Sequence, residues 1–399
     1  MNKRVISIMA AGHLINDFLN GVLTAILPLL AVQFKLSYAE VGILTMTSSV
    51  SSSLVQPIFG YISDKKGSPW LLAFSALALG LGLVWIPFAP SFLLLLPAVV
   101  LSGIGSAAFH PDASRAVYFA AADKRGLAQS VFQVGGNSGI ALSALALLFL
   151  GHVGMNGTIW FMLPSVLSTV MMITLARWFS TRLSEYRKNR SAATSAAANQ
   201  GKASKGGLTL LVAVVTVRSW ITSGITTFVP LYVIHFYGVL TANVWLYTFI
   251  FLLFGAFGTM AGGPMADKVG QRNVIRMSMM VSTPLAVLLP YLPQSLLLVD
   301  LAALGFFLLS TFAVTVVYGQ EMLPGNIAMV SGLLIGFAGG VGGIGTMLLG
   351  DLADSIGLRL TLEWVVWIMP LAALCTLFLP MDKHRRWQPP LEQRPTVAK

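Results

Sequence analysis

Five polar residues near the start of the chain share one face of a helix. His13, Asn16, Asp17, Asn20 and Thr24 are spaced by multiples close to 3.6 within an otherwise apolar run, 6–30. Asp17 stands about twelve residues into that run, which at about 1.5 Å per residue is the middle of a bilayer-length helix. Desolvation there disfavours a bare carboxylate, so such a group could load and release a proton near neutral pH. His13, one turn away, could share that proton, or simply mark the inner interface. The plainer reading of Asp17 is a hydrogen bond across helices that serves packing.

A second set lies around His110. Ser102, Ser106 and His110 recur every fourth residue, and Pro111, Asp112 and Arg115 follow. Pro111 would loosen the preceding turn, and Asp112 and Arg115 are spaced to pair. This set either serves substrate or gating, or is a kinked end of the fourth span with a surface ion pair. Gln129, Gln133 and Asn137 form a further stripe, with Gln133 and Asn137 bulky enough to line a cavity. Thr45, Ser48, Ser49, Ser52 and Gln56 form another, better suited to tightening helix contacts. In the second half of the chain Arg218 stands about ten residues into an apolar run, with Thr222 and Thr226 on the same face. An arginine at that depth either faces a cavity, where it could pair with a carboxylate or hold an anion bidentately, or snorkels to the inner interface.

These residues need elements to hold them. The chain has 399 residues, of which 56% are hydrophobic and 10% charged, and its mean hydropathy is +0.80. Soluble domains carry about 25% charged residues, so a bilayer must cover the excess apolar surface. Twelve spans of bilayer length are expected near 6–30, 40–62, 70–89, 92–113, 127–150, 157–177, 208–234, 241–264, 273–292, 295–320, 327–350 and 360–380. The basic start, Lys3-Arg4, resembles a signal peptide superficially, but its apolar run continues to about Leu30. The single cysteine, Cys375, excludes a disulfide framework and any cysteine-based metal site. The net charge of +11 could suggest nucleic acid, but the basic residues cluster in a few loops between apolar segments. With the N-terminus inside, the inner segments collect Lys3, Arg4, Lys65, Lys66, Lys124, Arg125, Lys268, Arg272 and the basic run from Arg182 to Lys205. The outer loops hold only Lys35 and Arg359, so both termini are expected in the cytoplasm.

One motif occurs twice. Gly60, Asp64, Lys65 and Gly67 recur as Gly263, Asp267, Lys268 and Gly270, 203 residues on. Each copy joins two apolar segments. The turns Leu27-Pro28-Leu29 and Val229-Pro230-Leu231 repeat at an offset of 202. Parallel repeats of this kind point to a duplicated membrane transporter. The organisation expected is a six-helix bundle at 1–178, a cytoplasmic linker loop at 179–207, a second bundle at 208–380 and a basic cytoplasmic tail at 381–399. The aspartates of the motif could cap or pair with positive groups on neighbouring helices in one conformation and release them in another. The lysines also satisfy the inside-positive bias. The glycine-rich run from Gly332 to Gly345 suits close helix approach and has no preceding strand for a dinucleotide site.

With twelve spans, a six-plus-six repeat and a G-x-x-x-D-K-x-G loop after spans two and eight, the chain resembles the major facilitator superfamily. More narrowly, Gly12-His13-x-x-Asn16-Asp17, Gln56-Pro57-x-x-Gly60, Phe109-His110-Pro111-x-x-Ser114-Arg115 and Gln133-x-Gly135-Gly136-Asn137-x-Gly139 resemble its fosmidomycin-resistance type of drug exporter. That resemblance implies an all-α membrane protein of two rocking bundles, with a cavity lined by spans one, four, seven and ten. It further implies proton-driven efflux across a bacterial cytoplasmic membrane by a monomer, with no cofactor beyond the proton gradient. Two positions depart from the antiporters of the superfamily: Val99 stands where arginine is usual, and Ile140 where proline is usual. Asp17, His13 and His110 then become the expected proton carriers, and Asn16, Asn20, Gln133, Asn137, Arg218 and Thr222 the expected substrate contacts. Import or facilitated passage of an anionic metabolite is the competing expectation. A membrane enzyme would need a catalytic or metal-spaced cluster, and none is legible along the chain.

Overall fold

The computed structural model describes residues 1–36, 38–66, 69–143, 145–196, 204–239 and 245–381. Those residues are largely helical and hold no strand, one of the two ways a chain can satisfy its backbone groups inside lipid. Twelve long helical segments follow one another among them, with the short helical pieces Leu27–Gln33 and Met155–Phe161 between them. The first six are α1 (Lys3–Ala25), α2 (38–66), α3 (Leu71–Trp85), α4 (Phe92–Ala121), α5 (Arg125–Ser143, continued by Leu145–Val153) and α6 (Met162–Ala196). The second six are α7 (Lys205–Tyr237), α8 (Trp245–Val269), α9 (Gln271–Leu288), α10 (Gln294–Met322), α11 (327–356) and α12 (358–377). Among the described residues, ten helices are long and apolar enough to cross a membrane. The other two, α2 and α11, are each divided by a π turn, at Val50–Leu54 and Gly332–Phe337. In α2 the turn has a visible cause. Ser51 Oγ donates to the carbonyls of Thr47 and Ser48, and Gln56 Nε2 donates to that of Ser52, so side chains take over acceptors the ladder would have used.

The prolines that crowd the ends of α3 and α9 close both helices in short 3₁₀ turns, Ile86–Phe88 and Leu289–Tyr291. Two segments are longer than the sequence suggests. α4 runs through Pro111 to Ala121, so His110 to Arg115 lie inside a helix and not at its end. α6 runs on to Ala196, because Ala, Arg and Lys favour helix even outside an apolar stretch. The rest of the expected linker, 197–203, and the tail from 382 lie outside the described residues.

The repeat is visible in the backbone. Helices α1 and α7, α4 and α10, and α5 and α11 start 202 residues apart. Asn2 Oδ1 caps α1 by accepting from Val5 N, and Ser204 Oγ caps α7 by accepting from Gly207 N. Within the first six helices α1 packs on α5, and α3 on α4 and α6. Within the second six α8 packs on α10, and α9 on α10 and α12. Large apolar side chains such as Leu81, Leu148, Leu167, Phe257 and Leu371 are exposed on the outer faces. A surface so apolar belongs in lipid, and the protein is a multi-pass membrane protein.

The halves meet along two seams, α5 against α8 and α2 against α11. The repeated glycines set the approach. A Cβ on Gly263 would stand 2.2 Å from the carbonyl oxygen of Gly126, and one on Gly60 would stand 2.5 Å from that of Ala328. Both lie at the end of the molecule that carries Lys3, Lys65, Arg125 and Lys268, hereafter the basic end. Gly263→Val should therefore pry the basic end apart. Reading at the other seam, Ala328→Cys in a Cys375→Ser background should react with a water-soluble maleimide about tenfold faster, the factor that ~1.4 kcal/mol of bias supplies. An unchanged rate would mean that the seam absorbs the side chain locally.

Candidate functional site

α1 and α4 bring three titratable side chains together beside α5. The Nδ1 of His13 lies 2.8 Å from the carbonyl oxygen of Phe132, and the Nδ1 of His110 lies 2.9 Å from that of Ser106. A carbonyl only accepts, so each ring carries a hydrogen on Nδ1 and turns Nε2 the other way. Both Nε2 atoms meet Asp17, at 3.1 Å from Oδ2 for His13 and 3.1 Å from Oδ1 for His110. Asn16 Nδ2 donates to Asp17 Oδ1 at 3.0 Å and to Ser106 Oγ at 3.3 Å. All four side chains are buried.

Each of the two gaps is closed by one hydrogen. With neither present the cluster bears one negative charge, and with both it bears one positive charge. Proton count is thus its natural variable, and its titration belongs to the group as a whole. The sequence shows the His13–Asp17 pair through its one-turn spacing, while His110 is 93 residues from Asp17 and joins it only in space. The expectation that no histidine–carboxylate cluster of metal spacing exists is corrected here: ligand atoms of His13, Asp17 and His110 lie within 4.8 Å of one another. At 3.1 Å the gaps already have the length of a direct N–H···O bond, and no ion is needed to close them.

The second buried site is on α7. Arg218 is 3% exposed, and its Nη1 donates to Thr311 Oγ1 at 3.1 Å and Thr315 Oγ1 at 3.4 Å, both on α10. Its guanidinium also lies 4.8 Å from the ring centre of Phe312. No carboxylate among the described residues lies within 4.0 Å of it. Arg218 is therefore buried inside the protein, and the carboxylate partner that the sequence allows is not found among the described residues. Thr222 donates to the Arg218 carbonyl of its own helix, which leaves its oxygen as an acceptor. Gln133 is buried with Oε1 unpartnered, as is Asn16 Oδ1, and Asn20 and Asn137 are half-buried. Three polar groups in the C-terminal half escaped the sequence reading. Thr311 and Thr315, one turn apart in an apolar span, carry the same signal as the stripes on spans one and five. Asp300, 7% exposed with Oδ2 unpartnered, is a lone carboxylate in a span, which is the signal that revealed Asp17.

The repeated motif builds the basic-end seams. Asp64 accepts from the backbone N–H groups of Ala328 and Met329, at 3.2 and 2.9 Å, at the start of α11. Asp267 accepts from those of Gly126 and Leu127, at 2.8 and 3.0 Å, at the start of α5. Each aspartate caps a helix of the opposite half, one turn after the glycine that lets the two backbones touch. The donor pairs, Gly126 with Leu127 and Ala328 with Met329, are themselves 202 residues apart. Asp64 also pairs with Arg115 at 3.0 Å, and Arg115 reaches Asp112 and Ser63. Asp112 and Arg115 are buried, which replaces the expected surface pair with an internal one. Arg125–Glu321 and the bonds from Gln320 to Ser114 and Ser331 add to this end. Lys65 lies over the Tyr61 ring of its own helix, and Lys268 is exposed. Gly270 opens α9 at φ 93°, where a side chain would be strained. Gly67 lies outside the described residues.

A bundle of paired six-helix halves with buried polar sites on α1, α4, α7 and α10 has the build of a membrane transporter. The profile of the Major Facilitator Superfamily matches residues 9–327, and the chain belongs to that superfamily. It is 39% identical over 387 residues to an uncharacterized MFS-type transporter, YfnC, of Bacillus subtilis, covering 96% of this chain and 94% of the other. It is 35% identical over 384 residues to the fosmidomycin resistance protein of Escherichia coli, covering 96% and 94%. Among solved structures it matches the E. coli fucose:proton symporter FucP with a TM-score of 0.71 over 94% of this chain and 98% of that one, at 12% identity. That last likeness speaks to fold.

Removing the Asp64 charge should loosen the α11 start. A cap of this kind contributes about 1–2 kcal/mol, so in Asp64→Asn amide hydrogen exchange across 327–331 should quicken about tenfold. Exchange there at the parent rate would show that Arg115 and the neutral side chain suffice.

Proposed function

We propose that the protein is a proton-driven exporter of a small anionic compound, working by alternating access with its basic end in the cytoplasm of a bacterial cell. The carrying observation is a pair of buried sites with complementary needs. The His13–Asp17–His110 cluster in the N-terminal half has two gaps that a proton can close, and Arg218 in the C-terminal half has no carboxylate within 4.0 Å among the described residues. Asn16 and Arg218 are 202 residues apart and so occupy equivalent places on α1 and α7.

In this reading Asp17, His13 and His110 carry protons. Arg218 grips the anionic group, whose charge its burial leaves unmatched. Asn16, Asn20, Gln133, Asn137 and Thr222 contact the remainder of the compound. The caps at Asp64 and Asp267 form when the basic end closes and part when it opens. The inward bias of Lys and Arg supports the orientation. The relative named for fosmidomycin resistance supports a phosphonate as the first compound to try. The chemistry is transport without a cofactor, and a monomer suffices because both seams lie within one chain. Uptake or facilitated passage of an anionic metabolite uses the same residues, and flux direction separates the two.

In an efflux-deficient bacterial host, the chain should raise fosmidomycin tolerance and Asp17→Asn should abolish that gain at unchanged membrane abundance. Inside-out vesicles should show the same loss of pH-gradient-driven accumulation. Full activity in the variant would remove Asp17 from the coupling, and accumulation in the opposite sense would establish uptake. Arg218→Gln should weaken half-saturation for fosmidomycin about tenfold or more, while a neutral compound carried by the protein changes less than about twofold, since a charge-assisted pair is worth about 1.5–3 kcal/mol. Equal losses for both would assign Arg218 to folding.

A further inference from the structure

α5 touches two working parts of the molecule at two depths. At its first turn Gly126 and Leu127 are capped by Asp267 of the other half, and Gly126 lies against Gly263, backbone on backbone. Ser130 Oγ then donates across the seam to the carbonyl of Thr259 at 2.7 Å. Half a turn further on, the helix holds His13 in two ways. The Phe132 carbonyl accepts from Nδ1 at 2.8 Å, and the Phe132 ring stacks on the imidazole with centroids 4.0 Å apart and an interplanar angle of 23°. One turn above, a Cβ on Gly136 would stand 2.4 Å from His13 Nε2 and 2.6 Å from Asp17 Oδ2. Gly136 thus lies directly over one of the two gaps that a proton closes. From Arg125 to Ser143 the helix is regular, without π turn or proline, so about 9 Å of stiff backbone separates Gly126 from Phe132.

We propose that α5 transmits the state of the basic-end gate to the His13–Asp17–His110 cluster, with Phe132 and Gly136 as the positioning residues that act on His13 and Asp17. The proposal rests on the reading of that cluster as the proton site. While the gate is closed, the Phe132 carbonyl fixes the His13 tautomer and the stacked ring fixes its plane, so that Nε2 faces Asp17. When Asp267 releases the start of α5, the rod shifts and carries both contacts with it. His13 is then free to turn, the Nε2–Oδ2 bridge opens, and the cluster's hold on its second proton weakens. Release thereby follows opening toward the basic end, which is the order an exchanger needs.

The titratable neighbours are few. His110 on α4 faces Asp17 directly, whereas Asp112 and Arg115 of the same helix turn to Ser63 and Asp64. α5 offers no titratable residue between Arg125 and the exposed His152 in its last turn, and α3 has none. α6 begins its charges at Arg177, toward the basic end.

The test uses the full chain in lipid nanodiscs, with Cys375→Ser and spin labels at Lys66→Cys and Asn273→Cys, both exposed positions on opposite halves. Inter-label distances are measured from about pH 5 to pH 9, a window that spans histidine titration. The parent should switch between two distance populations, and Asp17→Asn should abolish the switch. Phe132→Ala and Gly136→Ala should each move the midpoint to lower pH by about half a unit to one unit, a threefold to tenfold weaker hold on the proton. Phe132→Tyr, which keeps the stacked ring, should restore it, and Phe132→Leu serves if the alanine variant does not fold. Midpoints unmoved in the Phe132 and Gly136 variants, with Asp17→Asn still abolishing the switch, would overturn the α5 linkage and leave the proton site standing. A switch that survives Asp17→Asn would overturn both.

Discussion

Every other relation between the two halves depends on two reciprocal helix caps. The first N–H groups of α5 and α11 have no partner within their own helices, and each pair finds one in a carboxylate from the opposite half. The arrangement satisfies a backbone need and a charge need together, since a helix N-terminus carries partial positive charge. It also makes the joint conditional. Once the halves part, the same N–H groups and carboxylates are orphaned unless water reaches them. The basic end therefore has a well-defined closed geometry, and what opens it must supply either solvent or a competing interaction. The glycines one turn earlier are the steric half of the same device, because a Cβ there would hold the backbones apart and keep the capping side chain out of hydrogen-bond reach.

Behind that joint the halves have diverged. Where the N-terminal half places Asn16 and the Asp17 cluster, the C-terminal half places Arg218, and where α4 carries His110, α10 carries Phe312. A histidine–carboxylate cluster and a guanidinium without a carboxylate have opposite electrostatic requirements, and the duplicated scaffold provides two equivalent positions to fill differently. Burial enforces the specialisation. A guanidinium held by two threonine hydroxyls and an aromatic face is solvated enough to exist there but not neutralised.

How much of this was legible in the sequence depended on whether both partners were side chains close along the chain. The His13–Asp17 pair announced itself through one-turn spacing, and the repeated glycine and aspartate through their common offset. The depth of Arg218 in an apolar run was enough to mark it. The partners of Asp64 and Asp267 were not legible, because a backbone N–H leaves no trace in residue type. Nor was the approach of His110 to Asp17, which depends on how α4 crosses α1. The role of Phe132 was hidden twice, since its carbonyl is anonymous and its ring looks like core. The continuation of α6 to Ala196 lies past the point where hydropathy ends, and nothing in the local residues stops the helix there.

The two seams are built alike at the basic end but not along their length. In α2 and α11 a π turn interrupts each helix, and these irregular stretches lie against each other, with Gln56 seated on Gly332 and Gly336. From Arg125 to Ser143, and throughout α8, the opposite seam has none. A seam of two interrupted helices yields by flexing at a point, whereas one of two continuous helices must slide or tilt whole. The molecule is then mechanically lopsided about its pseudo-twofold axis. A rocking of the halves, as alternating access requires, would then carry a twist, with the interrupted seam as its soft corner and the continuous seam as its lever.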